Sequence, residues 1–144
     1  MELETDVAIM KVLFVCSGNS HRSPLAEALL KKLRPDIEVD SAGTHVAIPI
    51  SEQAKEYLTR EDAQQFLKKA PESLDSKQLY KYDLIVAMEA SHKFFILKKC
   101  PECKDKIVVW NIADPYFLSS AHAEEIYLEI KEKVAELAKS LSER

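Results

Sequence analysis

Only two of the 144 residues are glycine. A chain this poor in the residue that frees the backbone is neither a fibrous repeat nor a flexible tract, and the two positions it keeps, Gly18 and Gly43, both fall at the ends of candidate strands. Long apolar stretches are missing too: none approaches the roughly 20 residues that span a bilayer. Residues 1–10 carry Glu2, Glu4 and Asp6 and lack the basic start and apolar core of a secretory signal, which predicts a cytoplasmic protein with no membrane partner. Positive charge is not in excess. Twenty Lys and Arg against 24 Asp and Glu give a net charge of −4 with no basic stripe, which argues against a nucleic-acid partner. The four histidines, His21, His45, His92 and His122, show no ligand spacing, so neither a metal nor another cofactor is expected. The sequence sets no oligomeric state.

What is present describes one folded unit. Hydrophobic residues make up 47% and charged residues 31%, enough to build a core in a chain of single-domain size. Residues 1–10 read as an N-terminal extension and 11–144 as the domain. Lys11, Val12, Leu13, Phe14 and Val15 form a buried-strand pattern, and from Ser23 the spacing of Leu25, Ala26, Leu29, Leu30 and Leu33 is helical, with Pro24 in the first turn. Further strands are predicted around Ile37, Val39 and Ser41, over residues 84–88, and over residues 107–110. Helices are predicted from Ser51, over residues 61–69, over 91–98, and over 124–141. Alternation of this kind predicts an α/β fold: a three-layer α/β/α domain on a four-stranded parallel sheet. Ligands in such folds sit beyond the carboxyl ends of the strands, where Cys16, Ser41 and Asp114 would emerge.

The connection between first strand and first helix, Cys16-Ser17-Gly18-Asn19-Ser20-His21-Arg22-Ser23, carries the chemistry. A loop that leaves a strand and enters a helix gathers backbone N–H groups and the positive end of the helix dipole into one concavity, which suits a tetrahedral oxyanion. Gly18 and Asn19 tolerate a left-handed backbone and let the loop curl. Arg22 offers a planar fork to two phosphate oxygens. Cys16 at the mouth sits where dipoles and guanidinium favour thiolate, making it the candidate nucleophile. Ser17, Gly18, Asn19, Ser20, His21, Arg22 and Ser23 are the candidate phosphate binders; Ser23 is placed to hydrogen-bond the sulfur, and His21 to tune the loop's charge. Ser41 is expected to hydrogen-bond Asn19, and residues 45–49 to form a pocket wall with Val46 and Ile48.

Asp114-Pro115-Tyr116 supplies the second half. Pro115 stiffens Asp114 and biases it out of the helical region, so its carboxyl can be held over the pocket to protonate a departing oxygen and then to activate water. Tyr116 is placed to stack on an aromatic substrate.

Together, CSGNSHRSPLAEALL, DSAGT and ADPY resemble the low-molecular-weight protein tyrosine phosphatase family, with element order matching from Lys11 to about Leu141. The resemblance implies metal-independent phosphomonoester hydrolysis through a cysteinyl-phosphate intermediate. It makes Cys16 the nucleophile, Arg22 the phosphate clamp, Asp114 the general acid, and Asn19, Ser23 and Ser41 the loop supports. Substrates would be phosphotyrosine proteins or small aryl phosphates. The sequence departs from the family pattern in the wall at residues 45–50, which has no aromatic residue, and in Phe117, which stands where a second tyrosine is common. Two rival readings stay open at this point. Cys100-Pro101-Glu102-Cys103 could form the cysteine relay of the related arsenate reductases, and the loop could serve a non-catalytic phosphate-binding module.

Overall fold

A computed structural model describes residues 9–141; of the expected N-terminal extension, residues 1–8 lie outside the described residues. Four strands form one parallel sheet in the order β2-β1-β3-β4, with β1 at Lys11–Cys16, β2 at Glu38–Gly43, β3 at Leu84–Ala87 and β4 at Ile107–Val109. Because β1 is flanked on both sides and covered on both faces, its residues are apolar without alternation. Val12 and Phe14 point into a core with Leu25, Leu29 and Leu30 of α1 (Arg22–Leu33), Tyr57 and Leu58 of α2 (Glu52–Arg60), and Ile126, Ile130 and Val134 of α4 (Ser120–Ser140). Leu13 and Val15 point the other way, against Ile96 of α3 (Ala90–Lys99) and the 3-10 turn Pro101–Lys106. The three-layer α/β/α arrangement is the observed fold.

Register positions the site. Cys16 ends β1 opposite Gly43, the last residue of β2. A Cβ on Gly43 would lie 2.7 Å from the Ser17 carbonyl oxygen and 2.8 Å from the Asn19 nitrogen. Glycine is required there for close approach of two backbones at the strand end.

Two helix boundaries differ from the sequence expectation. Residues 61–69 do not form a helix. α2 closes through Asp62, which adopts a left-handed φ of 55° while the Ala63 N–H donates to the Leu58 carbonyl, and only a 3-10 turn at Gln64–Phe66 follows. α4 begins a full turn earlier than residue 124, because the Ser119 side chain caps it by accepting the His122 N–H. At the far end of β4, Asn111 turns the chain with a φ of 59° and directs the following residues back over the mouth of the first loop.

Candidate active site

The loop after β1 is held from beneath by a chain of buried polar groups. Asn19, not Gly18, takes the left-handed conformation, with φ 53°. Its side chain turns away from solvent, 0% exposed. The Asn19 Oδ1 accepts from Lys68 Nζ at 2.9 Å and from the Glu72 backbone N–H at 2.7 Å, which fixes the amide orientation and commits Nδ2 to donate. Nδ2 gives one hydrogen to Ser23 Oγ at 2.8 Å and one to Ser41 Oγ at 2.9 Å; Ser41 in turn donates to the buried Glu27 carboxylate. Ser23 Oγ therefore accepts from Asn19 and has its own proton to give Cys16 Sγ, 3.0 Å away. The charge of Lys68 and the carboxylate of Glu27 thus orient, through two side chains, the hydroxyl that faces the sulfur.

Above this support the loop is open to an anion. The backbone N–H groups of Gly18, Asn19, Ser20 and His21 have no hydrogen-bond partner among the described residues, and α1 begins immediately after them without a side-chain cap. A cavity of about 720 Å³ opens over Cys16, Ser17, Gly18, Ser20, His21 and Arg22. One wall is His45, Ala47, Ile48 and Pro49, and the other is Asp114, Pro115, Tyr116 and Leu118. Ile48 lines the wall as expected, whereas Val46 is not among its lining residues. Arg22 is 2% exposed. Its Nη1 donates to Glu89 Oε1 and to the Ile112 carbonyl, each at 2.8 Å, and its Nη2 lies 3.7 Å from Asp114 Oδ2. Asp114 Oδ1 accepts the Tyr116 N–H at 3.0 Å, so the turn after Pro115 holds the carboxylate at the cavity edge.

Of the histidines at this site, His21 in the cavity lining and His92 behind Ser17 are both neutral at pH 7. Burial pulls the pKa of His21 down from 6.5 to about 4, with Asp114 opposing and Arg22 assisting. His21 therefore adds no positive charge to the loop, contrary to its expected tuning role. Burial also pulls His92 down to about 4, aided by Arg22 and opposed by Glu89. The unfolded chain binds these two protons near pH 6.5 and the folded protein only near 4, so the stability they contribute is present above 6.5 and is lost as pH falls between those values. From pH 7 to pH 5 the unfolding free energy should drop by roughly 2 to 4 kcal/mol. Glu72, held below the usual carboxylate range by its Lys68 hydrogen bond, adds a further loss only at lower pH. Urea denaturation at pH 7, 6 and 5 checks this; a midpoint that did not move would refute it.

Of the residues singled out in the sequence, Cys16, Ser17, Gly18, Ser20, His21, Arg22, Asp114 and Tyr116 share the cavity. The side chains of Asn19, Ser23 and Ser41 lie beneath it, all 0% exposed. Lys68, Glu27, Glu89 and His92 were not singled out. Glu27 had a readable signal, a carboxylate inside the apolar run of α1; Lys68 had none, because it lies in a segment expected to be helical. Cys100 and Cys103 form a disulfide at the end of α3, remote from the carboxyl edge of the sheet where Cys16 opens, and neither lines its cavity. Among the described residues no cluster of three or more His, Cys, Asp or Glu side chains could hold a metal ion, and no helix is long and apolar enough to cross a membrane.

Comparison with known proteins bears on this geometry. The family described as low molecular weight phosphotyrosine protein phosphatase matches residues 11–144. The low molecular weight protein-tyrosine-phosphatase Etp of Escherichia coli (strain K12) is 33% identical over 140 residues, covering 91% of this chain and 94% of Etp. A protein-arginine-phosphatase of Geobacillus stearothermophilus is 35% identical over 123 residues, covering 74% of this chain and 78% of that protein. Among solved structures, Vibrio vulnificus Wzb in complex with benzylphosphonate superposes with a TM-score of 0.83 at 30% identity, covering 93% of this chain and all of that one.

Proposed function

Since the chain belongs to the low molecular weight phosphotyrosine protein phosphatase family, it is a phosphatase, and we propose that Cys16, Arg22 and Asp114 perform its chemistry on aryl phosphates, phosphotyrosine foremost. The observation that carries this reading is their convergence on one cavity from three separate elements: the end of β1, the start of α1 and the loop after β4. The Cys16 thiolate attacks phosphorus, forming a P–S bond as the P–O bond to the leaving group breaks. Asp114, entering protonated, gives its proton to the departing oxygen. Water then attacks the phosphocysteine, Asp114 takes a proton from it, the P–S bond breaks, and the thiolate returns to the Ser23 hydroxyl, 3.0 Å away. The Nη2 end of Arg22 and the loop's unpaired backbone donors hold the three phosphoryl oxygens through both steps.

Substrate choice rests on the walls. Tyr116 is 64% exposed beside the mouth, with Ile48 and Leu118 also lining the cavity, a surface suited to an aromatic ring. A second reading comes from the arginine-phosphatase relative, whose substrate name places phosphoarginine in the same test.

Asp114→Asn keeps the shape of the side chain and removes its proton. The expected result is a kcat on an aryl phosphate lowered about 10²- to 10³-fold, with inorganic phosphate still binding as a competitive inhibitor within a few-fold of the parent. The loss should shrink with substrates whose leaving groups need no protonation. An equal loss across leaving groups would remove Asp114 from the acid role. Rates for the parent on phosphotyrosine and phosphoarginine peptides, with chelator present, decide the substrate; a higher kcat/KM on phosphoarginine would overturn the tyrosine preference.

A further inference from the structure

His92 takes no part in the chemistry proposed above, yet it is 1% exposed and faces the loop. Its hydrogen bonds determine its tautomer. The Glu89 backbone N–H donates to Nδ1 at 3.0 Å, so Nδ1 presents a lone pair and the neutral ring carries its proton on Nε2. Nε2 lies 2.9 Å from Ser17 Oγ and is therefore the donor of that bond. A hydroxyl that accepts from an imidazole has its own hydrogen left to give, and no described residue accepts it.

Ser17 is fixed in place as well as oriented. It directly follows Cys16, its carbonyl accepts the His45 N–H at 2.7 Å, and Gly43 packs against the same carbonyl. Ser17 lines the cavity together with Cys16. The ring that orients it is anchored too: Glu89 and His92 form a capping box at the start of α3, and the Glu89 carboxylate is tied to Arg22. One short stretch of α3 thus holds both the guanidinium and the Ser17 hydroxyl.

We propose that His92 is a positioning residue that turns the Ser17 hydroxyl into a hydrogen-bond donor for the phosphoryl group bound over Cys16. Ser17 then supplies a side-chain donor in addition to the loop's backbone N–H groups. This rests on the phosphate-binding role given to the cavity, and not on which residue is the nucleophile.

The test is the affinity for inorganic phosphate, measured by calorimetry without turnover, in the full chain. Ser17→Ala should weaken binding about five- to tenfold. His92→Leu should weaken it by a similar factor, His92→Gln, which keeps an N–H donor near the Nε2 position, should recover part of the loss, and the Ser17→Ala/His92→Leu double variant should bind no worse than Ser17→Ala alone. A purely structural role for His92 predicts the opposite, a loss that persists in full when Ser17 is alanine. That outcome, or unchanged phosphate affinity in Ser17→Ala, overturns the proposal. If His92→Leu fails to fold, Ser17→Ala and His92→Gln still decide it. A parent protein that binds phosphate with this pattern but forms no phosphocysteine would fail the reaction proposed for Cys16 and leave the Ser17–His92 pairing standing.

Discussion

Cys16→Ser is expected to lower kcat on any phosphomonoester by at least about 10⁴-fold while leaving the protein folded and able to bind inorganic phosphate. The change is small in volume: the residue is 3% exposed and packs at the edge of the core beneath the loop. What changes is the acidity of the group. Its hydrogen-bond partner is Ser23 Oγ, which is oriented by Asn19 to donate, an arrangement that stabilises an anion and offers no base. An alcohol is intrinsically far less acidic than a thiol, so the substitution replaces a competent nucleophile with a poor one. The donors proposed for phosphate are backbone N–H groups, Arg22 and the Ser17 hydroxyl, none of which involves the sulfur, so ground-state binding should survive. Rapid-quench detection of a covalent phosphoprotein in the parent and its loss in Cys16→Ser would complete the case. A serine variant retaining more than a tenth of the parent rate would exclude a covalent route through residue 16.

The loop was legible in the sequence because its chemistry is local. Cysteine, asparagine, arginine and serine at fixed spacing between a strand and a helix describe a concavity whose geometry the flanking elements impose. Asp114 was legible for a related reason, since Pro115 restricts it whatever the rest of the chain does. The support beneath the loop was not legible. Lys68 reaches Asn19 from a segment whose residues favour helix, and what prevented the helix was the left-handed Asp62, a conformation favoured by tertiary closure against Leu58 and not marked by glycine. His92 was similarly hidden: on sequence alone it is one residue on a short amphipathic helix, and only the β3–α3 placement beside β1 brings its ring to Ser17. Gly43 was legible only as a strand-end glycine. Its role as an allowance for a neighbouring backbone was not, because it depends on a pairing 27 residues away in sequence from Cys16.

Arg22→Lys should lower kcat/KM by roughly 10²- to 10⁴-fold even though charge is conserved. The reason lies in how the guanidinium is already used. Nη1 spends its two hydrogens on Glu89 and on the Ile112 carbonyl, which fixes the plane of the group, and Nη2 extends toward Asp114 and the cavity. One end of a rigid fork is anchored so that the other end is aimed. A lysine ammonium is a single point: bonding to Glu89 and Ile112 would withdraw it from the phosphate, and reaching the phosphate would leave a buried carbonyl without its donor. In the transition state, charge spreads over three phosphoryl oxygens that must be met from fixed directions, so kcat should suffer more than KM. Glu89→Gln provides the comparison. The amide oxygen can still accept from Nη1, so aim is preserved while a neighbouring charge is lost, and the expected reduction is under tenfold. Phosphate affinity, thermal unfolding and steady-state rates for both variants separate the two effects. If Arg22→Lys stayed within tenfold of the parent in kcat/KM, then charge alone would suffice at this position, and the anchored-fork account of the clamp would be wrong.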